Sequence, residues 1–292
     1  MILVTGATGN AGAQVVRALV EEGQEVRAFV RDADKGYALF GDGVELAVGD
    51  FADPRSVRAA LAGAKALFLS CADDPRRVDW ETAAIDAAAA TGMRRIVKLS
   101  SIAAEPGAQV AFWDWHGRVE RHLRQSRVSW TVLRSSVYMT NVLAGADQVA
   151  LEGRLYAPAG DAPIAMIDPR DVGAAGASAL TTSGHDGRTY VLTGPQAMTY
   201  AQVAAELSAA TARHVEFIDL PDEHARQGMV QGGMPDAVAE QVVKVFAMLR
   251  QGMAGRVTDG VESLTGKPPR DFAAFARDHA FLFAPAAVGA GR

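Results

Sequence analysis

The residues with the plainest chemical purpose come first in the chain. In VTGATGNAG, residues 4–12, Gly6, Gly9 and Gly12 stand three apart. An apolar run, ILVT, precedes them, and AGAQVVRALVEEG, with apolar residues at helical period, follows. At such a strand–helix junction one glycine permits a tight turn, one lets the backbone approach a pyrophosphate, and one allows helix and strand to pack closely. The helix N-terminus adds N–H groups and a partial positive charge. The loop therefore reads as a dinucleotide cradle made by Gly6, Thr8, Gly9, Asn10, Ala11 and Gly12, with a plain turn as the alternative. A side chain at Gly9 or Gly12 is expected to block the pyrophosphate and leave the fold intact.

Which dinucleotide is a question for the end of the second strand, VRAFVRD. An NAD site usually places a carboxylate there for the ribose diol. Here Arg31 comes first, with Arg27 nearby, and a guanidinium can hold a 2′-phosphate bidentately and stack on adenine. NADP is favoured; Asp32, next in the chain, leaves NAD open, and a solvated Arg31 is the bland alternative. In GDFADP, Asp50 and Phe51 would flank the adenine, while Asp53 equally suits a helix N-cap with Pro54 at the first position. Ser70 and Cys71 end the fourth strand, close to where a ribose would lie.

These residues need a scaffold, and the chain alternates short β-type runs with amphipathic stretches. ILVT (2–5), EVRAFV (25–30), VELAV (44–48), ALFLS (66–70), RIVKLS (95–100) and WTVLR (130–134) read as strands. Such alternation builds a parallel sheet with helices on both faces, a Rossmann-type doubly wound α/β fold. After Tyr138 the rhythm changes: strands are expected near 163–167, 189–193 and 214–218, then mostly helices from Pro221. The organisation expected is a dinucleotide-binding domain over 1–150 with later segments returning to it, a smaller α+β C-terminal substrate lobe over 151–283, and a flexible tail, 284–292.

With 292 residues, 49% hydrophobic and 22% charged, the composition is that of an ordinary globular protein. The net charge of −5 comes with scattered Lys and Arg, which argues against direct nucleic-acid binding. One cysteine, Cys71, precludes an internal disulfide and points to a reducing, cytoplasmic setting; no leader or membrane-spanning run is apparent. A Gly-x-Ser-x-Gly elbow, a Walker A loop and metal-ligand histidine spacing are all missing, so no metal is expected.

VTGATGNAG, FVRD, VGDFADP, VKLSS and VSWTVLRSSVYMTN, in that order, resemble the atypical short-chain dehydrogenase/reductases, and within them the NmrA-like group. That group holds quinone, azo-dye and triphenylmethane reductases and also cofactor-sensing regulators. The resemblance runs from Met1 to about Phe283. It implies that Ser101 is the substrate-orienting serine, with Ser100 as the alternative and a cofactor contact. It further implies that Ser135, Ser136 and Val137 pack against nicotinamide, and that Tyr138 and Asn141 face the substrate.

The wider superfamily pairs a catalytic Tyr with a Lys four residues on, and no tyrosine here has one. DWHGRVERHL stands in its place, with His116 and Glu120 at that spacing. His116, titrating near neutrality, could donate the proton; alternatively it packs a helix while Glu120 is solvated or pairs with Arg124. Lys98 is mid-strand without obvious catalytic purpose, and Arg134 reads as a tie between loops. Phe112, Trp113, Trp115, Tyr138 and Met139 suit either the core or a pocket for a flat aromatic substrate.

Two classes of function follow. One is an NAD(P)H-dependent reductase acting on a quinone or related aromatic or polyketide ketone, with His116, Ser101 or Tyr138 supplying the proton or orienting the substrate. The other is a non-catalytic, NAD(P)-sensing regulator, favoured by the absent dyad. The sequence leaves the oligomeric state open.

Overall fold

The computed structural model describes residues 1–284, so all but the first residue of the expected tail lies outside the described part. Along the chain run β1 (Ile2–Val4), α1 (Asn10–Glu21), β2 (Val26–Val30), α2 (Ala33–Phe40), β3 (Glu45–Val48), α3 (Pro54–Leu61), β4 (Ala66–Leu69) and α4 (Arg77–Ala90). Then come β5 (Arg95–Ser101), α5 (Ala111–Gln125), β6 (Ser129–Ser135), α6 (Ala146–Glu152), β7 (Arg154–Ala157), α7 (Pro169–Thr181) and β8 (Arg188–Leu192). The rest is α8 (Tyr200–Thr211), β9 (Glu216–Asp219), α9 (Asp222–Gln231), α10 (Asp236–Arg250), α11 (Gly260–Thr265) and α12 (Phe272–Asp278).

The chain divides into two units: Met1–Ser135 with Pro169–Leu192 and Asp259–Pro268, and Ser136–Asp168 with Thr193–Thr258 and the described residues from Pro269 on. The first holds a seven-stranded sheet in the order β3-β2-β1-β4-β5-β6-β8, parallel at every pairing. β1 pairs with both β2 and β4 (Val4 opposite Ala28 and Phe68), so the strand order reverses at β1, where doubly wound sheets bind ligands beyond the strand ends. Because its interior strands are covered on both faces, they read as continuous apolar runs: Ile2, Leu3 and Val4 of β1 and all of ALFL in β4 are buried.

One face of the sheet packs Leu3, Leu67, Leu69 and Ile96 against Val57 and Leu61 of α3, Ile85 of α4, and Val119 and Leu123 of α5. Each such side chain contributes about 1.5–3 kcal/mol on burial. α7, rich in Gly and Ala, is buried along almost its whole length. In the second unit β7 and β9 form a two-stranded parallel sheet, Leu155 opposite Phe217.

The later strands depart from expectation. The run at 189–193 is β8, an edge strand of the large sheet and not part of the smaller lobe. PIAMI, 163–167, makes only isolated bridges through Ile164 and Ile167; Ile164 to Ile167 are buried, and burial accounts for the run's apolar character. β7 was not anticipated: its four residues follow Gly153, whose φ of +68° ends α6, too short a run to show a period of two.

Candidate functional site

The glycine loop leaves β1 and is held by Thr5, for which no motif in the sequence signals a role. The Thr5 hydroxyl donates to the Ser70 carbonyl at 2.9 Å and accepts from the Ser70 N–H at 3.0 Å, tying the loop to the end of β4. The three glycines are not equivalent. Gly6 has φ +61°, and a Cβ there would lie 2.9 Å from the Ser70 carbonyl oxygen. At Gly12 a Cβ would come within 2.2 Å of the Gly6 oxygen, a backbone clash. Gly12 is therefore required by the fold itself, which corrects the expectation that substituting it tests binding alone. At Gly9 the nearest atom is the Gly6 oxygen at 3.3 Å, and nothing else lies within reach.

A side chain at Gly9 would thus extend into open space beside the loop. Gly9 is also the N-cap of α1, where no side chain caps the helix and no acidic residue occupies the first turn. A helix start of this kind suits an anionic group. Around it Thr8 is half-buried, Asn10 exposed and Ala11 buried.

Farther along the edge, Arg27 of β2 and Arg31 just past its end differ in their commitments. Arg27 is committed: its Nε bonds Glu45 at 2.7 Å and its Nη1 bonds the carbonyl of Ala60 at 2.7 Å. Arg31, past the strand end, is exposed and has no hydrogen bond or ion pair with any described residue. Asp32 instead accepts from the Lys35 N–H at 3.1 Å and caps α2. The carboxylate that would have marked an NAD site is a cap, and the guanidinium beside it is available. Asp50 accepts from the Ala52 N–H at 2.8 Å, and Asp53 caps α3 ahead of Pro54. Phe51 meets Phe29 edge-on at 5.7 Å and stacks with Trp80 at 6.5 Å.

Beneath the strand ends lie two buried ionic clusters. In one, Glu120 is fully buried and takes Arg134 bidentately (2.9 and 2.8 Å), Arg124 at 2.7 Å and the Ser100 hydroxyl at 2.5 Å. Arg134 also donates to the Ala104 carbonyl at 2.9 Å, so it ties β6 to α5 and the loop before it. Glu120 does pair with Arg124 but is not solvated. The Ser100 hydroxyl is spent on Glu120, which leaves Ser101, half-buried at the strand end, as the hydroxyl with latitude.

In the other cluster Arg77 and Glu81 of α4, Lys98 of β5 and His116 of α5 meet. Lys98 Nζ lies 3.1 Å from Glu81, Arg77 Nε 3.5 Å from Glu81, and Arg77 Nη1 2.5 Å from Asp73. Arg77 Nη2 donates to the Cys71 carbonyl. The ring nitrogens of His116 face Arg77 (Nε2, 3.0 Å) and Lys98 (Nδ1, 3.4 Å). An arginine only donates, so Nε2 accepts. Burial first, then the cations Arg77, Lys98 and Arg134, push the imidazole well below its usual near-neutral pKa. This overturns the expectation that His116 titrates near neutrality. Burial likewise pushes Lys98 down and the Cys71 thiol up to about 12, so Cys71 is no thiolate. A sequence signal for this cluster existed: positions 77, 78, 81, 84, 85 and 88 form the buried stripe of α4, and two of them are charged.

In the second unit, Val137 accepts from the Ile167 N–H and Met139 donates to the Ile167 carbonyl, both at 2.9 Å. This ladder fixes the stretch after β6. The Ser136 hydroxyl within it is buried without a hydrogen-bond partner, an orphaned group of the kind a ligand satisfies. Tyr138 is half-buried and Asn141 exposed. Of the aromatic group that suited either core or pocket, Trp113 and Met139 are core residues, at 6% and 2% exposure, while Phe112 and Trp115 are half-buried, edge-to-face at 5.6 Å. Among the described residues no group of His, Cys, Asp and Glu could hold a metal ion, and no helix is long and apolar enough to cross a membrane.

Comparison with known proteins places the chain in a family. The model of the NmrA-like family matches residues 1–267. An NAD(P)H azoreductase of Xenophilus azovorans is 37% identical over 286 residues, 98% of this chain and 100% of the relative. A (4-alkanoyl-5-oxo-2,5-dihydrofuran-3-yl)methyl phosphate reductase of Streptomyces griseus is 38% identical over the same proportions, 98% and 100%. Among solved structures, an NADPH-dependent quinone oxidoreductase of Escherichia coli, complexed with NADPH, superposes with a TM-score of 0.87 at 29% identity, covering 96% of this chain and 100% of that one.

Proposed function

This chain belongs to the NmrA-like family and is an NAD(P)H-dependent oxidoreductase, and we propose that it uses NADPH to reduce a quinone or a related aromatic or polyketide ketone. The observation that carries the cofactor reading is the open space beside Gly9 at the uncapped start of α1. Gly6, Thr8, Asn10 and Ala11 would complete the cradle there, and Arg31 would take the 2′-phosphate. Asp50 and Phe51 would flank the adenine, Ser70 and Cys71 the ribose. Ser135, Ser136 and Val137 would meet the nicotinamide, with the orphaned Ser136 hydroxyl as the donor the fold leaves over.

NADPH, when bound, supplies a hydride. The chain's own part is to hold the cofactor and to settle where the accompanying proton comes from. His116 is neutral, buried and bonded to Arg77, so it is a poor acid. Ser101 or Tyr138 would orient the substrate's oxygen, and water would supply the proton. A quinone tolerates this because its reduced form is a mildly acidic phenol, whereas a simple ketone must become a basic alkoxide. Positioning then provides most of the rate.

The reductase names of full-length relatives favour turnover over the sensor reading. The test is NADPH consumption against a panel of quinones, azo dyes and aromatic ketones, with NADH in parallel. Turnover of a quinone with NADPH preferred supports the proposal; binding of NADPH without turnover of any panel member returns the sensor reading.

A further inference from the structure

The guanidinium of Arg76 lies over the ring of Trp80, its Cζ 4.5 Å from the centroid. Trp80 in turn stacks on Phe51 at an interplanar angle of 19°, and Phe51 is braced edge-on by Phe29. The layers come from three places: Phe29 from β2, Phe51 from the turn after β3, and Arg76 with Trp80 from the start of α4. Arg76 is held in plane by Asp74, through Nε at 3.0 Å and Nη2 at 3.1 Å, while its side chain stays 64% exposed. An exposed guanidinium locked flat, with its charge already met by a carboxylate, offers a face and not a charge. Trp80 and Phe51 are both half-buried.

We propose that the Arg76–Trp80–Phe51 stack is the adenine-binding wall of the cofactor site, with Arg76 and Trp80 as binding residues for the base. The proposal rests on the NADPH reading above. Phe51 was already placed beside the adenine; its contact with Trp80 extends that surface onto α4. A planar base gains from guanidinium and aromatic faces without hydrogen-bond readout. Because Asp74 neutralises Arg76, the stack grips NADPH and NADH alike, in contrast to Arg31, whose contact depends on the 2′-phosphate.

The experiment is calorimetric titration of wild type, Trp80→Ala, Trp80→Phe, Arg76→Ala and Arg76→Lys with 2′,5′-ADP, NADPH and NADH. A base stack of this kind corresponds to roughly tenfold in affinity. Trp80→Ala and Arg76→Ala should lose about that factor for all three probes. Trp80→Phe, which keeps an aromatic face, should recover most of the affinity, and Arg76→Lys, which lacks a plane, should not. In wild type 2′,5′-ADP should change the tryptophan emission, and in Trp80→Phe that change should disappear. Variants that bind the probes as wild type does, with the emission change retained, overturn the proposal while leaving the dinucleotide reading standing. A wild-type protein that binds none of the probes overturns both.

Discussion

Gly9 and Gly12 look alike in the sequence, and the structure predicts opposite consequences for them. In Gly12→Ala the new Cβ meets the Gly6 oxygen at 2.2 Å; the oxygen is backbone and the Cβ is fixed by the backbone that carries it, so neither can swing aside. Overpacking of this kind costs about 1–3 kcal/mol and sometimes more. At roughly 2–4 °C per kcal/mol for a domain of this size, the midpoint of thermal unfolding should fall by several degrees. In Gly9→Val the backbone, at φ −87° and ψ 171°, is extended and accepts a β-branched residue, and the only close contact is 3.3 Å. Its cost to stability is about 1 kcal/mol, the difference between a good and a poor N-cap. The valine side chain occupies the cradle instead. Losing two charge-assisted bonds to the phosphates, about 1.5–3 kcal/mol each, lowers NADPH affinity by roughly 10²–10⁴. Circular-dichroism melts and calorimetric titration of both variants separate the effects. If Gly9→Val keeps wild-type affinity, or unfolds as early as Gly12→Ala, the cradle is misassigned.

Arg31→Ala should weaken NADPH roughly ten- to a hundredfold and leave NADH nearly unchanged, measured by titration; Arg27→Ala, which breaks the Glu45 and Ala60 bonds, should lower the melting temperature without altering that preference. His116 gives a stability signature in acid. At pH 7 it is neutral folded and unfolded; below about pH 6.5 only the unfolded chain takes the proton. Stability should therefore fall with pH by about 1.4 kcal/mol per unit from this group, and His116→Asn should flatten the slope in denaturant titrations between pH 7 and 5. Turnover of a quinone by that variant should keep the wild-type pH profile. Arg134→Met leaves Glu120 buried with Arg124 as its one remaining cation; chemical denaturation should show a loss near the lower end of the usual 3–5 kcal/mol.

The first half of the fold was legible because its signals are local. Glycine spacing, buried strand runs and the Asp53–Pro54 cap all act within a few residues, and β1 to β6 lie within a residue or two of where the sequence put them. What escaped was set by distant partners. Nothing near residue 189 shows that β8 pairs with β6, since Leu133 and Tyr190 meet only in the folded sheet. The same holds for the site. Arg31 could be singled out from its strand end, but the commitment of Arg27 depends on Glu45 and the carbonyls ending α3. His116 looked like an acid because its neighbours in the chain are ordinary; the burial that chiefly keeps it neutral, and the Arg77 and Lys98 cations that add to it, come from packing against another helix and a strand.

In the proposed reaction hydride passes from NADPH to an aromatic acceptor on this protein. The most direct measurement is stopped-flow reduction of a quinone with NADPH carrying deuterium at the transferable C4 position, set against unlabelled NADPH. NADPH loss should match quinone reduction one for one, slowed by a primary isotope effect in wild type, and in Gly9→Val turnover should be lost at NADPH concentrations that saturate the wild type. Tight NADPH binding with no oxidation in the presence of any quinone would contradict this reaction and identify a sensor.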